Sequence, residues 1–436
     1  MIDLARAARE APDTPALIEA GPGGRRLTYR ELAAEVAGVS ARLERDDRLR
    51  TLVAEPSLET VVELLASLER GQPRLLLSEK LQPAERAELA AHLGAVRPLP
   101  AASEPTALVV PTSGSTGRPR GVRLTRAALE AAIGASAAHL RTLPEDVWLC
   151  PLPLSHLGGL SIPLRAVAAA RPCVLLPRFE VEAFAEAVER ERVTLASLVP
   201  TLLHRLLSGL PGWRPPSHLR AVLLGGAGVD PATLEAAGEA RYPVLPTYGL
   251  TETCGQVCTV TPGTPPDASN GAGRPLPGLE VDLTPEGRLR VRGPTLFQGY
   301  LPEDGDPPLD TGGWLVTADL GRLDEAGNLH VLGRADQVIV TGGEKVHPHE
   351  VEAVLLRHPA IEAAAVVGLP DPEYGQVVAA AVVARPGTSA EALEAHLREH
   401  LGGHRRPRRL VQLESLPLTP SGKLDRPALR KLLTEA

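Results

Sequence analysis

Short apolar runs alternate with stretches of helical periodicity through the first half of the chain. A capping box formed by Thr28 and Glu31 precedes apolar residues that recur at helical spacing from Leu32 to Leu43, so a helix is predicted there. The same reasoning predicts further helices over residues 58–68, 83–93, 125–140 and 181–191, and strands over residues 74–78, 107–110, 173–176, 194–199 and 219–224. Alternation of this kind predicts a layered α/β domain.

The pattern changes near residue 278, where short alternating strands with turn signals at residues 286–287 and 325–327 predict a β-rich subdomain. A further segment opens at residue 333. It is predicted to contain a glycine turn at residues 342–343, helices over residues 348–356 and 390–401, and strands over residues 363–367 and 377–383. This segment is long enough to form a small α+β domain of its own.

The composition indicates more than one domain and argues against nucleic acid and anionic membranes as partners. The chain has 436 residues, which exceeds what one hydrophobic core usually supports. Its 46 Lys and Arg residues against 53 Asp and Glu residues give a net charge of −7, which argues against a general binder of nucleic acid or anionic membranes. The basic run at residues 404–409 is interpreted mainly as solvated surface, with a local role for its charge left open.

The cysteines and the apolar runs favour a cytoplasmic protein. The four cysteines, at positions 150, 173, 254 and 258, lack Cys-x-x-Cys spacing, so reduced thiols are expected and neither a zinc site nor a disulfide framework is. The N-terminus carries charges throughout and lacks the apolar centre of a secretory signal. Apolar runs such as residues 377–384 are too short to cross a bilayer.

A segment rich in glycine and hydroxyl residues, 111–122, follows the strand predicted at residues 107–110. Glycines let backbone N–H groups face a phosphate, hydroxyls add donors, and Arg118 and Arg120 add positive charge. A phosphate-binding loop and a plain polar turn fit the segment equally well, but no Gly-Lys-Ser/Thr closes it, which excludes a kinase-type P-loop. A second glycine loop, residues 225–228, also follows a predicted strand, where α/β sheets bind ligands.

Three charged residues elsewhere are candidates for chemistry. Glu252 lies in a predicted glycine turn at residues 245–253 and offers the carboxylate that magnesium prefers together with phosphate oxygens. Asp319 can accept hydrogen bonds from ribose hydroxyls. Lys423 follows a Ser-Gly turn and is a mobile point charge able to reach an anionic reacting centre. For each of them, a place in a solvent-exposed loop is the plain alternative.

In their order and spacing these segments resemble the adenylate-forming superfamily of acyl-CoA synthetases, adenylation domains and luciferases. The resemblance covers essentially the whole chain, from residue 28 to residue 426. It rests on the phosphate loop at residues 112–121, Tyr-Gly-Leu-Thr-Glu at 248–252, Thr-Ala-Asp at 317–319, Gly-Arg-Ala-Asp at 333–336, Gly-Gly-Glu-Lys at 342–345 and the late lysine. Chance agreement of all six is negligible.

The resemblance implies an enzyme that activates a carboxylic acid in two steps, with ATP, Mg²⁺ and coenzyme A. The carboxylate attacks the α-phosphorus of ATP to give an acyl-adenylate and pyrophosphate, and the thiol of CoA then displaces AMP. The implied catalytic residues are Lys423, Glu252, Thr112 and His156, and Glu252 also holds the metal. The implied ATP-binding residues are Thr112, Ser113, Gly114, Ser115, Thr116, Gly117, Gly225, Gly226, Ala227, Thr247, Tyr248, Gly249, Thr251, Asp319 and Arg334.

The resemblance also implies a division of the α/β chain into a large N-terminal domain with a β-rich subdomain and a small mobile α+β C-terminal domain. The expected bounds are 1–333 for the ATP- and acyl-binding domain, 334–337 for a hinge at Asp336, and 338–436 for the mobile domain. When the small domain swings, Lys423 leaves, and Gly342 and Gly343 enter to line the tunnel for the pantetheine arm of CoA, with His156 at its gate.

Within the superfamily the chain most resembles the o-succinylbenzoate–CoA ligases of menaquinone biosynthesis, by its short length and by residues 146–161 and 248–259. Three residues depart from the superfamily's usual pattern. Arg120 stands where lysine is usual, Ala318 where glycine is usual, and Ser155 where an aromatic residue is usual. These departures bear on the phosphate loop, the local backbone and the walls of the acid pocket.

Three other functions are alternatives. A ligase for another aryl or medium-chain acid keeps the reaction and changes the pocket. A non-catalytic nucleotide- or acyl-binding relative would have no need for Lys423. A serine hydrolase built on Ser113, Ser115 and His156 lacks the Gly-x-Ser-x-Gly elbow. The expected partners are a small carboxylic acid, ATP and CoA, without nucleic acid or membrane insertion, and a homo-oligomer is left open.

Overall fold

The structure, a computed structural model, describes the chain except for residues 22, 45, 101–102, 114–118, 304–308, 419–423 and 436 and the side chains of Ser113 and Ala390. Its helices are α1 (Leu4–Glu10), α2 (Tyr29–Ser40), α3 (Leu58–Arg70), α4 (Pro83–His92), α5 (Arg126–Leu140), α6 (Leu157–Ala169), α7 (Val181–Arg190), α8 (Pro200–Gly209), α9 (Pro231–Glu239), α10 (Pro348–Leu356), α11 (Ala390–His400) and α12 (Arg426–Glu435). Short 3₁₀ turns cover Thr251–Thr253, Ala268–Asn270, Ala335–Gln337 and Gly403–Arg405.

The strands follow the same chain order. They are β1 (Pro15–Glu19), β2 (Arg26–Thr28), β3 (Arg50–Val53), β4 (Arg74–Leu77), β5 (Thr106–Ser113), β6 (Pro119–Thr125), β7 (Trp148–Cys150), β8 (Cys173–Leu175), β9 (Leu195–Leu198), β10 (Ala221–Leu224), β11 (Val244–Leu250), β12 (Gly255–Thr259), β13 (Arg274–Pro275), β14 (Glu280–Leu283), β15 (Arg288–Arg292), β16 (Gly299–Leu301), β17 (Leu315–Leu323), β18 (Leu329–Arg334), β19 (Ile339–Thr341), β20 (Glu344–Val346), β21 (Ile361–Asp371), β22 (Gly375–Ala384) and β23 (Arg409–Gln412).

The largest sheet has nine strands in the order β13-β12-β11-β10-β9-β7-β8-β1-β2. Its central strands, from β11 to β1, run parallel, and antiparallel strands flank them on both sides. Parallel strands bring their carboxyl ends to one edge of a sheet. The segments that follow β7, β10 and β11 therefore meet at that edge.

Apolar cores cover both faces of this sheet. Along β10, Ala221 and Leu223 belong to one buried cluster, whereas Val222 and Leu224 belong to another. Successive side chains of a strand point to opposite faces, so a strand buried on both sides is apolar at every position. This is why the predicted strands are short continuous apolar runs.

A second sheet, in the order β16-β6-β5-β4-β3, carries the glycine-rich segment. Strands β3, β4 and β5 are parallel, and β5 and β6 form an antiparallel pair whose connection is that segment. A third, antiparallel sheet with the order β14-β15-β17-β18 is the β-rich subdomain predicted from the sequence.

The C-terminal segment has a sheet and cores of its own. Strands β20-β19-β22-β21 form the sheet, and β23 pairs with β22. On one face, Val378, Ala380 and Val382 pack under α10 and α11, and on the other face Ala379 and Ala381 pack under α12. The predicted small α+β unit is therefore present.

Most of the predicted helices and strands are confirmed, with ends shifted by a few residues. The capping box is formed, with the Thr28 side chain accepting from the N–H of Glu31 and the Glu31 side chain accepting from the N–H of Thr28. Helix α6 has no amphipathic periodicity because residues all around it are buried, and the periodicity analysis misses it.

A buried carboxylate anchors the start of β7. Asp146 is fully buried and accepts from Arg220 at 2.6 Å and 2.8 Å and from the hydroxyl of Thr194 at 2.8 Å. Burial alone would raise the pKa of Asp146, but these hydrogen bonds outweigh it and the pKa is lowered. These contacts tie the start of β7, and with it the loop that leads to His156, to the starts of β9 and β10.

All four cysteines are free and buried, as expected from their spacing. Burial raises the pKa of the Cys150 thiol to about 12, so that thiol is not poised for reaction. In the parts of the chain that the structure describes, no helix is both long and apolar enough to cross a membrane.

Candidate active site

Three predicted site segments lie along the carboxyl edge of the nine-stranded sheet. Residues 225–227 follow β10, residues 251–252 follow β11, and residues 151–156 follow β7. Since β11, β10, β9 and β7 are neighbours in that order, the segments are spread along one edge rather than stacked at one point. This edge is where open α/β sheets bind their ligands.

The glycine loop after β10 packs directly against β11. A Cβ on Gly225 would lie 2.8 Å from the Cγ2 atom of Thr247, so only glycine lets the two strand ends approach so closely. Gly226 adopts φ +85° and turns the chain outward, and Ala227 is exposed. The Thr247 hydroxyl is held in place, because it donates to the Cys258 carbonyl at 2.8 Å. Two segments of the predicted ATP-binding set, residues 225–227 and Thr247, therefore lie against each other.

The segment predicted as a glycine turn at residues 245–253 is mostly strand β11, which corrects the prediction. Gly249 is needed for another reason: a Cβ there would lie 2.0 Å from the carbonyl oxygen of Gly255, where the register between β11 and β12 shifts. A 3₁₀ turn begins only after the strand, at Thr251, and carries Glu252.

Tyr248 and Asp319 form a buried hydrogen bond between the large sheet and the β-rich sheet. The Tyr248 phenol donates to Oδ2 of Asp319 at 2.7 Å, and the two residues are only 9 % and 8 % exposed. Burial, together with the neighbouring carboxylate, raises the pKa of Tyr248 far above its usual range, so the phenol stays protonated. The predicted ribose-binding carboxylate is therefore held by Tyr248, another predicted ATP-binding residue.

Arg334 links Asp319 with the predicted hinge. Asp319 and Arg334 are paired in register across β17 and β18, and Oδ1 of Asp319 lies 3.8 Å from Nη1 of Arg334. Arg334 also donates two hydrogen bonds to Asp336, at 2.9 Å and 2.7 Å, which lower the pKa of that carboxyl. Ala318 lies in strand β17 with no left-handed φ, so the residue that replaces the usual glycine fits its backbone without strain.

Glu252, the predicted metal ligand, contacts an aromatic residue that the sequence analysis did not identify. The phenol of Tyr300 donates to Oε1 of Glu252 at 2.9 Å. The guanidinium carbon of Arg120 lies 3.8 Å from the centre of the Tyr300 ring. Arg120, Tyr300 and Glu252 are therefore contiguous, and the electrostatic influence of Glu252 extends to Arg334.

Only the ends of the predicted phosphate loop lie within the described residues. Strand β5 runs through Ser113, further than the predicted strand at residues 107–110, and strand β6, which was not predicted, begins at Pro119, so both ends of the segment 111–122 are strand. The Thr112 hydroxyl donates to the Arg120 carbonyl at 3.3 Å. The predicted ligands Gly114, Ser115, Thr116 and Gly117 and the predicted catalytic Lys423 lie outside the described residues.

His156 occupies the N-cap position of α6. The first turn of α6 packs tightly on the preceding loop, since a Cβ on Gly159 would lie 2.3 Å from the carbonyl oxygen of Pro153. Ser155 is 4 % exposed, and its hydroxyl has no hydrogen-bond partner among the described residues. The position that is usually aromatic therefore holds a small polar group in this chain.

A small cavity of about 10 Å³ lies between α5, α6 and the turn after Glu252. Its size suits a single water molecule, so an acid can enter only if side chains move. Seven of its wall residues are apolar or small, and the eighth is charged: Leu129, Ala132, Ile133, Leu157, Ser161, Leu164, Cys254 and Arg165.

Arg165 is a buried cation whose charge no described carboxylate balances. It is 8 % exposed, its Nη2 donates to Oε1 of Gln256 at 2.7 Å, and its Nε has no partner among the described residues. Burial lowers the pKa of Arg165 to about 10, which still leaves it protonated at neutral pH. The guanidinium can therefore receive an anion in the cavity.

Gln256 accepts a hydrogen bond from Arg165 and is itself oriented by further hydrogen bonds. Its Oε1 also accepts from the Ser136 hydroxyl at 2.8 Å, and its Nε2 donates to the Thr259 hydroxyl at 2.8 Å. An arginine can only donate hydrogen bonds, so the amide oxygen must face it. The network reaches Thr247, whose hydroxyl lies 2.7 Å from that of Thr259.

Gly342, one of the two predicted CoA-binding glycines, lines a second cavity, of about 250 Å³. Gly342 and Gly343 form the turn between β19 and β20 with φ of +57° and +86°, a pair of values that favours glycine at both positions. The basic run of residues 404–409 is largely on the surface, as expected, yet it also contributes to this cavity. The cavity is lined by Thr341, Gly342, Glu344, Tyr374, Val378, Gly403, His404, Arg406 and Arg408.

Three residues of the site escaped the sequence analysis, although each carries a signal. Arg165 is a lone charge within the apolar stretch of α6, and Gln256 is a lone polar residue beside the buried Val257 and Cys258. Tyr300 is one of only five tyrosines. A charge or an amide in an otherwise buried run needs a partner, which marks such positions for attention.

Comparison with known proteins assigns this architecture to a family. The model of the AMP-binding enzyme family matches residues 95–301, and the model of the AMP-binding enzyme C-terminal domain matches residues 350–423. The chain is 36 % identical over 392 residues to the 2-succinylbenzoate–CoA ligase of Bacillus velezensis, covering 85 % of this chain and 80 % of that relative.

Two solved structures of a Bacillus subtilis enzyme superpose on nearly the whole chain. The complex of its o-succinylbenzoate CoA synthetase with the acyl-adenylate intermediate OSB-AMP is 31 % identical, with a TM-score of 0.89, and covers 98 % of this chain and 97 % of that one. The complex with ATP and a magnesium ion is 30 % identical, with a TM-score of 0.87, over 99 % and 98 %. The resemblance inferred from the motifs and the predicted fold class are confirmed: the chain belongs to the AMP-binding enzyme family.

Proposed function

We propose that the chain is an ATP-dependent 2-succinylbenzoate–CoA ligase that acts through an acyl-adenylate, in the cytoplasm and in menaquinone biosynthesis. The observation that carries the choice of acid is the buried Arg165 at the wall of the cavity. The names of the relatives support the same acid.

The argument from Arg165 is one of charge. A buried cation without a carboxylate partner costs on the order of several kcal/mol, and an anion that arrives to pair with it offsets that cost. 2-Succinylbenzoate has two carboxylates, of which only one is activated. The other needs a cation inside the acid pocket, whereas a fatty acid or a simple aromatic monoacid does not. Arg165, oriented by Gln256, is placed to supply that cation.

For the first step, the chain must hold ATP and bring two anions together. The backbone surface at residues 225–227, with Tyr248, receives the base, and Asp319 with Arg334 receives the ribose. Residues 112–117, with Arg120 at the end of their hairpin, hold the β- and γ-phosphates. Lys423 bridges the attacking carboxylate and the α-phosphate as charge develops there.

The donors around Glu252 fit a magnesium ion bound together with ATP. Glu252 is half-buried, one of its carboxylate oxygens accepts from Tyr300, and within the described residues the other oxygen carries no hydrogen bond. Magnesium is commonly held by one or two carboxylates plus phosphate oxygens. When bound, the metal neutralises charge on the departing pyrophosphate. The role of Glu252 is to hold the metal's positive charge beside the phosphate loop.

For the second step, we assign residues 338–436 to a mobile domain that turns about Asp336. Gly342 and Gly343 then line the pantetheine tunnel, and His156 separates it from the acid pocket. The basic cavity beside those glycines suits the phosphate groups at the other end of CoA, because His404, Arg406 and Arg408 lie around it. The ring of Tyr374 supports Arg408 at 3.8 Å.

Arg406→Ala is expected to raise the KM for CoA about tenfold, since one charge-assisted contact to a phosphate is lost. Steady-state kinetics with varied CoA measure this, and pyrophosphate release without CoA should stay within about twofold of the original protein. Arg398→Ala is the matched control, because Arg398 is exposed and pairs only with Glu394 on its own helix among the described residues. An unchanged KM for CoA would contradict the proposal that the basic cavity binds the phosphate groups of CoA.

A panel of acids tests the proposed function as a whole. Pyrophosphate release is followed with ATP and Mg²⁺, with and without CoA, for 2-succinylbenzoate, benzoate and medium-chain fatty acids. The proposal expects release with 2-succinylbenzoate and a CoA thioester once CoA is added. Release with a fatty or simple aromatic acid and none with 2-succinylbenzoate would keep the enzyme class and reject the acid.

A further inference from the structure

Tyr300 connects two parts of the proposed ATP site that lie on different sheets. It is the middle residue of β16, which pairs with β6 so that Tyr300 is opposite Val122. Its phenol reaches Glu252 after β11, at 2.9 Å, and its ring lies under the guanidinium of Arg120 on β6, at 3.8 Å. A single side chain therefore contacts both the proposed metal ligand and the arginine that ends the phosphate hairpin.

The orientation of Tyr300 is fixed by its surroundings. Phe297 packs on it edge to face, with the ring centres 4.7 Å apart. An ionised carboxylate can only accept hydrogen bonds, so the phenol is the donor in its bond to Glu252. That bond occupies Oε1 and sets the direction in which the other oxygen points.

The ring of Tyr300 also accounts for an arginine at position 120. A planar guanidinium can lie flat on an aromatic face and still donate in its own plane, which the compact ammonium of a lysine cannot do. Arg120 is held in this way at the end of the hairpin that carries the phosphate loop. Its charge is thereby kept on the same side of the site as Glu252.

We propose that Tyr300 is a positioning residue for the binding of magnesium-bound ATP. It acts through Glu252 and Arg120, which it holds in a fixed relation, and does not itself touch the nucleotide. This inference rests on the proposed function, which assigns Glu252 to the metal and Arg120 to the phosphates. It leads to separate expectations for the hydroxyl and for the ring.

Calorimetric titration of nucleotides into the full chain, without acid or CoA, tests this role. Tyr300→Phe keeps the ring under Arg120 and loses the bond to Glu252, so the Kd for MgATP should rise about tenfold. Tyr300→Leu loses both contacts and should raise it further. The Kd for AMP, which lacks the β- and γ-phosphates, should stay within about twofold in both variants.

Tyr242→Phe is the matched control, because Tyr242 is buried at 2 % exposure and its hydroxyl has no partner among the described residues. It should leave both Kd values unchanged. An unchanged Kd for MgATP in Tyr300→Phe, or an equal rise for MgATP and AMP, would overturn the positioning role. The unaltered chain separates the two proposals: if it releases no pyrophosphate with any acid, the proposed function fails, whatever the variants do.

Discussion

Lys423→Ala is expected to lower the rate of acyl-adenylate formation by at least about 100-fold while sparing the second half-reaction. In the proposed mechanism the lysine offsets the repulsion between the acid's carboxylate and the α-phosphate, and this charge is needed only while the two anions meet. Adenylation is measured as pyrophosphate release without CoA. The second step is measured as thioester formation from supplied 2-succinylbenzoyl-adenylate and CoA, which should stay within about threefold.

Lys431→Ala is the matched control for this variant. Lys431 is an exposed lysine of α12 near the same end of the chain, and its loss should change neither rate. Equal loss of both half-reactions in Lys423→Ala would contradict the assignment, because the lysine would then be needed in both arrangements of the small domain. Such a result would also weigh against a rotation about Asp336.

Arg165→Met is expected to lower kcat/KM for 2-succinylbenzoate by about 100-fold or more, mainly through KM. The second carboxylate of the acid would lose Arg165, the one charged side chain among the described residues that line the cavity. Methionine has a similar length and no charge, and replacing a buried ion by an apolar residue is often neutral or stabilising. Steady-state kinetics with varied acid give the effect, and the KM for ATP should not move.

Gln256→Glu checks the same charge without changing the size of the side chain. The amide oxygen of Gln256 lies 2.7 Å from Nη2 of Arg165. A carboxylate in its place would pair with the guanidinium and would compete with the acid for it. The loss with 2-succinylbenzoate should approach that of Arg165→Met. With 4-oxo-4-phenylbutanoate, the same acid without its ring carboxylate, both variants should match the original protein. An equal loss with both acids would show that Arg165 serves only the structure of the pocket.

Much of the fold is predictable from the sequence because the pattern of apolar residues reflects which faces of a helix or strand are buried. Strand β10 is apolar at every position because both of its faces are covered. Helix α2 begins where its capping box stands. The same logic fails for α6, which is buried on nearly all sides and mostly apolar, so its periodicity does not distinguish a helix from a loop.

The site is less predictable, because contacts between distant segments decide it. Gly249 suggests a turn when read alone, yet its role is to let β12 approach β11. The bond from Tyr300 to Glu252 joins residues 48 positions apart, and that from Arg165 to Gln256 joins residues 91 apart. No local pattern encodes such distances. The motifs predict which residues meet ATP, whereas the residues that orient them are found only from the fold.

The chain's preference between two acids that differ only in the ring carboxylate tests the account most directly. Formation of the CoA thioester is followed with ATP, Mg²⁺ and CoA for 2-succinylbenzoate and for 4-oxo-4-phenylbutanoate. The account predicts a kcat/KM at least about 100-fold higher for 2-succinylbenzoate, because the buried Arg165 is paired only by that acid. Equal or better turnover of the acid without the ring carboxylate would contradict it.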